Sequence, residues 1–424
     1  MRRARMVEIE ATEDAGYRTM ERALKYMEQA LERLESVTEV VRAAHHARSS
    51  DEATLATQIE ISEIPAPPFE EGRRATRLAE LMGDAGLDGI RIDEVGNVLG
   101  ERAGATNGSP LVVSAHLDTV FPPGTDVGVV REGDLLRGPG ISDDARGLAV
   151  LLALARALEA GGVRTRSPLL FAGTVGEEGI GDLRGVRHLF GTCAPAERAG
   201  GFLSLDGAGM ERLVTRGLGS RRFRIVARGP GGHSWVDWGT ANPIHVLGGL
   251  VRHLTSRPLS RRPLTTLTVA RWGGGKSINA IPQEAWIEVD VRSERDHDLE
   301  VQHAAIAAAV AERVDRSAGL TVEVEVIGHR PGGETPADAP LVQAAVAATR
   351  ARQWEPRLAC SSTDANIPMS LGIPALTMGC GGEAGQAHTT EEWYRNVRGT
   401  DGTLRALFTV LLAAGADGVA GSGT

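Results

Sequence analysis

The sequence predicts an α/β protein: a mixed, mostly parallel sheet with helices on both faces, interrupted by a smaller inserted α+β domain. Three observations predict it. Between Leu111 and Leu205, short apolar runs alternate with helical patterns, the rhythm of a sheet covered on both faces. At Arg221 the texture changes to alternating strands in the order β-α-β-β-α-β, which makes a four-stranded antiparallel sheet with two helices on one face. After the linker Pro331–Pro336 the first rhythm resumes. A chain of 424 residues has room for two or three domains at roughly 100–200 residues each.

Residues 1–48 read as an N-terminal amphipathic helix. Tyr17, Met20, Leu24, Met27, Leu31, Leu34, Val37 and Val41 recur every three or four positions with charges between them. Such a helix packs on the protein body; a coiled-coil partner helix is the alternative, although fewer than four heptads are present. Residues 49–218 form the first part of the α/β domain. A helical pattern runs into IPAPPFEEG (Ile64–Gly72), where prolines stop it, and Glu70–Ala85 resumes helical spacing until Gly86. Leu111–Ala115, Leu169–Thr174 and Phe202–Leu205 are apolar strands, with a helix over Leu148–Leu158.

Residues 219–330 are the inserted domain. Its strands are Arg222–Ala227, Leu264–Arg271, Ala285–Arg292 and Leu320–Ile327, and its helices are Pro243–Leu254 and Leu299–Ala318. Residues 331–424 complete the α/β domain, and the Gly/Ala/Ser-rich stretch Gly415–Thr424 reads as loose.

Composition excludes several classes. With 42% hydrophobic and 24% charged residues, the chain is neither disordered nor membrane-spanning. Its 55 acidic against 46 basic side chains give a formal charge of −9, which argues against nucleic acid as a partner. The basic start is followed by no apolar stretch of signal-peptide length, so a cytoplasmic protein is expected. Cys193, Cys360 and Cys380 lie far apart, which makes neither a disulfide framework nor a thiolate zinc site. The 53 glycines call for a reason.

That reason lies in five segments where acids and histidines meet strand ends and glycine loops. In LVVSAHLDTVFP, His116 and Asp118 are two apart and project to one face beyond an apolar strand. A ligand histidine with a carboxylate on its other nitrogen is a common metal-site arrangement; a surface His beside a solvated Asp is the plain alternative. In RGPGISDDARG, Asp143 and Asp144 precede a helix, where acids ordinarily serve as caps. In FAGTVGEEGIGD, glycines flank Glu177 and Glu178, so both carboxylates can turn into one site, where a cation offsets their repulsion; solvated loop acids are the plain alternative. Asp206 ends the apolar run of FLSLDGAG, and His388 follows the glycine-rich loop of GCGGEAGQAHTTEEW. Histidines mixed with carboxylates suit zinc, with cobalt or manganese as alternatives.

The ordered set HLDTV, GISDDARG, TVGEEG, LSLDG and GQAHTTEEW resembles the family of two-zinc peptidases and deacylases, and the similarity runs from about Ile64 to Leu411. The resemblance implies a zinc-exopeptidase-like catalytic domain and two divalent metal ions per subunit, held by His116, Asp143, Glu178, Asp206 and His388, with Asp143 bridging both. It implies Glu177 as general base and Asp118 as the partner of His116. It also implies a cis peptide between Asp143 and Asp144. Ala145-Arg146 departs from the Lys-Gly that often follows the acid pair, a change expected to act on loop packing.

The inserted domain resembles the family's lid and dimerisation domain, which implies a homodimer. The resemblance further implies that His233 in GPGGHSW polarises the substrate carbonyl across the dimer, with a surface or turn histidine as the alternative, and that Asn279 in SINAIP contacts substrate. Arg292 meets a substrate carboxylate or sits in a salt bridge on an exposed strand, and Ser362 and Asp364 belong to a substrate-side loop. The motif style is nearest the tripeptidase branch. An aminopeptidase for short peptides is therefore expected, with a carboxypeptidase or N-acyl-amino-acid deacylase as the alternative and an inactive scaffold as the reading from another class.

Overall fold

The computed structural model describes residues 21–315 and 319–416. The chain divides into two compact units, one being Gly217–Gly333 and the other the segments on either side of it. Tyr17, Met20 and residues 417–424 of the loose stretch lie outside the described residues.

The larger unit is built on a nine-stranded sheet. Its central order is Val98–Arg102, Leu169–Thr174, Leu111–His116, Gly201–Leu205, Ala375–Met378 and Arg212–Gly217. The four strands from Leu169–Thr174 to Ala375–Met378 are mutually parallel, and the strands flanking these four run antiparallel to them. Alternation along each strand feeds two separate cores. Val113, Phe171, Leu203 and Leu376 face one core, made with helices Ala145–Gly161, Thr38–Ser49, Pro340–Ala351 and Thr400–Ala414. Val112, Leu170, Phe202 and Ala375 face the other, made with Arg184–Thr192 and Asn366–Ser370. Helices therefore cover both faces, as the apolar runs require.

The expected single N-terminal helix is two. Helix 21–34 ends, residues 35–37 are not helical, and Thr38–Ser49 begins anew. The Ser36 hydroxyl donates to the Arg33 carbonyl at 2.7 Å, the local side-chain bond that competes with helix continuation. The buried face shifts across the break: Leu31, Leu34, Val40 and Ala43 enter one core, whereas Val41, expected on that face, is exposed. The helix thus packs on its own body. The helix expected over Leu148–Leu158 extends to Ala145–Gly161, because Asp144 caps its start and Gly162, at φ +66°, ends it.

In the smaller unit the order β-α-β-β-α-β is observed, with antiparallel strands Thr265–Gly274, Glu284–Ser293, Gly219–Arg228 and Thr321–Arg330 side by side in that order. Phe223, Ile225, Ala227, Ile287 and Val289 face a core with Leu247, Leu250 and Ile306 from the two helices. The alternate positions pair charges across strands: Arg224 with Glu288 at 2.6 Å and Arg228 with Glu284 at 2.9 Å.

A further small sheet of Val130–Glu132, Leu135–Arg137, Trp393–Arg395 and Glu383–Gly385 had no sequence signal. Strands of three residues are too short to show alternation.

Candidate metal centre

The carboxyl ends of the parallel strands carry the proposed ligands, as open α/β sheets dictate. His116 ends the strand Leu111–His116, Glu177 and Glu178 follow Leu169–Thr174, and Asp206 follows Gly201–Leu205. His388 lies between the small-sheet strands Glu383–Gly385 and Trp393–Arg395, and Asp143 sits just before helix Ala145–Gly161. Ligand atoms fall into three groups, each within 4.8 Å: His116, Asp143 and Asp206; Asp143, Glu178 and His388; and His116, Glu177 and Glu178. The first two share Asp143.

Local chemistry explains how these atoms converge. The Asp118 carboxylate accepts the backbone N–H groups of Glu177 at 2.9 Å and Glu178 at 2.8 Å. Its position relative to His116 therefore differs from the expectation: Nδ1 of His116 faces the Asp118 backbone carbonyl at 3.0 Å, while the carboxylate is 3.8 Å away. Asp118 holds the glutamate loop. Gly176 has φ +67°, and a Cβ there would lie 2.8 Å from Arg184 Cγ, so the turn that aims both glutamates requires glycine.

The acid pair divides its labour. Asp144, joined to Asp143 by a cis peptide, caps the helix through Gly147 N–H and also accepts from the N–H groups of His116 and Gly207. Asp143 faces Nε2 of both histidines at 3.0 Å. Gly147 leaves space for this cap, since a Cβ there would meet the Asp144 carboxylate at 2.2 Å.

The charges are unusually crowded. Burial and the neighbouring Asp143 push the Asp206 carboxyl up to about 7. Burial, with Asp206 and Asp143 adding to it, also raises Asp144 well above the usual carboxylate range. Burial opposes ionisation of Asp143 as well, but hydrogen bonds from His116 and His388 outweigh it and hold its pKa low. Hydrogen bonds to Asp143 and Glu178 lift His388 to about 11. His388 itself sits at φ +66°, a conformation non-glycine residues rarely adopt.

Two histidines and three carboxylates fit zinc, cobalt or manganese. A dication would take the place of the imidazole protons and relieve the mutual repulsion of the acids. Beneath the site, the fully buried Arg74 donates to the carbonyls of Ser62, Ile64 and Leu117, fixing the residue between His116 and Asp118. Arg146, the departure from the family pattern, is buried and donates to the carbonyls of Cys380 and Gly399; it braces loops.

The other named residues are placed as follows. Asp364 is buried and accepts the Thr174 hydroxyl at 2.5 Å, at the end of the strand that precedes the two glutamates. Ser362 is half-buried just beyond strand Arg357–Ser361. In the smaller unit, Arg292 pairs with Asp290 at 2.8 Å, the salt-bridge alternative. Asn279 is exposed, with its Oδ1 on the Ser277 hydroxyl. His233 is exposed, and its Nδ1 accepts the N–H groups of Trp235 and Val236.

Sequence reasoning missed Glu392. It is buried and accepts four hydrogen bonds from the Asp143 loop. Its only signal was its place in the TTEEW segment beside His388, where nothing separates it from the exposed Glu391.

A shared two-histidine, three-carboxylate centre at the head of a parallel sheet, with a further glutamate against it, defines a metal-dependent hydrolase. The sequence pattern of Peptidase family M20/M25/M40 matches residues 112–413, and the chain belongs to that family. Succinyl-diaminopimelate desuccinylase of Corynebacterium glutamicum is 24% identical over 337 residues, covering 78% of this chain and 88% of that protein. Aminopeptidase PepT from Bacillus cereus has a similar structure, with a TM-score of 0.69 at 21% identity over 86% of this chain and 98% of that one. A dinuclear metal-binding peptidase of the same family from Bacillus subtilis gives 0.64 at 15% identity over 86% and 100%. Among the described residues, no helix is long and apolar enough to cross a membrane.

Proposed function

We propose that this protein is an aminopeptidase of the tripeptidase type, which hydrolyses the amide bond of short peptides. The observation that carries the hydrolytic part of the reading is the pair of ligand triads sharing Asp143, with Glu177 against His116; the likeness to an aminopeptidase PepT supports the choice of short peptides. His116 and Asp206 would hold one divalent ion, Glu178 and His388 the other, and Asp143 both. Divalent ions held there supply Lewis-acid charge that lowers the pKa of water toward neutrality. Glu177 takes the proton of the attacking water and delivers it to the leaving amine. Asp118 keeps Glu177 and Glu178 in register by accepting both their backbone N–H groups.

His233 donates to the tetrahedral oxyanion, in this reading from the partner subunit. Its Nδ1 accepts two backbone N–H groups, so the neutral ring carries its proton on Nε2, the form that can donate. Asn279, Ser362 and, where it leaves Asp290, Arg292 serve the substrate; Asp364 acts from below through Thr174. Homodimerisation through the smaller unit, zinc as the metal and a cytoplasmic location complete the proposal. No disulfide joins Cys193, Cys360 and Cys380, which is compatible with a reducing compartment.

A second reading has its own support. The similarity to a desuccinylase covers most of both chains, which favours an N-acyl-amino-acid deacylase or carboxypeptidase with the same centre. Free tripeptides assayed beside N-succinyl and N-acetyl amino acids, each with zinc, cobalt or manganese, separate the two. Cleavage of tripeptides from the amino end, lost on chelation, is expected. Turnover of the N-acyl substrates alone establishes the second reading, and activity indifferent to chelation defeats both.

A further inference from the structure

We propose that Glu392 is a positioning residue that sets the metal affinity of the centre by clasping together the two loops that carry Asp143 and His388; the inference rests on the metal-centre reading above. Asp143 and His388 lie on segments 245 residues apart, and each segment has its own strand in the small sheet, Leu135–Arg137 and Trp393–Arg395. Glu392 stands immediately before the second strand and four residues after His388. One of its oxygens accepts the Ser142 N–H at 2.8 Å, the Ser142 hydroxyl at 2.7 Å and the Asp143 N–H at 3.0 Å; the other accepts the Gly140 N–H at 3.1 Å. Its backbone carbonyl accepts the Gly138 N–H at 2.9 Å.

A single side chain thus satisfies three backbone donors that burial would otherwise leave costly. The bond to the Asp143 N–H acts directly on the shared ligand. On the other side, Glu392 N–H donates to the Thr389 carbonyl and Thr389 N–H to that of Gln386, a compact turn that contains His388. Movement of Glu392 therefore shifts Asp143 against His388, and a carboxylate is the group that fits. A carbamoyl would present an N–H to one of the four donors. Residues that orient ligands without touching the metal ordinarily control affinity about 10–100-fold.

The test is cobalt titration of the metal-free full-length chain, read from the visible spectrum beside thermal unfolding of the metal-free form. Glu392→Gln is expected to weaken cobalt binding about 10–100-fold, and Ser142→Ala, which removes one of the four bonds, by a smaller factor. Asn396→Ala, just past the same strand but bonded to Asp51, leaves cobalt binding unchanged. Wild-type affinity and spectrum in Glu392→Gln overturn the proposal, as does an equal loss in Asn396→Ala. If Glu392→Gln does not fold, Ser142→Ala decides, and unchanged cobalt affinity there overturns it. A wild-type chain that takes up no cobalt overturns the metal centre itself, a result distinct from all of these.

Discussion

At the scale of single residues, Glu177→Ala should reduce turnover by at least about 10²–10⁴-fold while cobalt uptake stays at two equivalents; near-normal turnover would remove Glu177 from the mechanism. The site was legible wherever an acid or histidine followed an apolar run or sat among glycines. His116, Asp143, Glu177, Glu178, Asp206 and His388 each did so, and the fold brings all six together. Illegible were the partners. Whether Asp118 bonds an imidazole or two backbone amides, and whether Glu391 or Glu392 is buried, depends on segments distant in sequence.

The carboxyl of Asp206 gives a pH prediction. Its pKa is raised from 3.8 to about 7 in the fold, so between those values the unfolded chain ionises while the folded one keeps its proton. Stability of the metal-free protein is therefore lost as pH rises through this window. Asp206→Asn should melt at a higher temperature than wild type at pH 8 in the presence of chelator, with the gap closing toward pH 4. Because Asp206 and His388 must shed protons to bind metal, cobalt affinity should rise from pH 6 to 9. A flat profile would contradict the ligand assignment.

At the scale of elements, apolar runs announced the parallel strands because both faces are buried. The break at residues 35–37 was hidden because the apolar spacing carries across it. What the helix pair does is nevertheless plain: Leu31 and Leu34 are core residues. Leu34→Ala should cost about 2–5 kcal/mol, measured by urea unfolding. A loss below about 0.5 kcal/mol, typical of surface sites, would show that helix 21–34 is an appendage.

At the scale of the molecule, the inserted unit displays two long edge strands, Thr265–Gly274 and Thr321–Arg330. Edges of this length invite pairing with another chain, which is the proposed dimer contact. If His233 works from the partner subunit, then mixing inactive His233→Ala with inactive Glu177→Ala protein should restore up to about a quarter of wild-type activity, the share of sites that random pairing of subunits makes intact. Sedimentation of a monomer, or no recovery from mixed dimers, would confine catalysis to one chain.

The strand Ala375–Met378 lies between Gly201–Leu205 and Arg212–Gly217, although the latter two are close neighbours in sequence. A chain emerging from the ribosome has therefore delivered His116, Asp143, Glu178 and Asp206 long before the gap in its own sheet can be filled. Until then the Gly201–Leu205 edge stays open and His388 has not been made. In the proposed mechanism, hydrolytic competence thus waits for the segment that carries Ala375–Met378 and His388. A product of translation interrupted before His388 carries four of the five proposed ligands and, on the proposed mechanism, does not hydrolyse amide bonds.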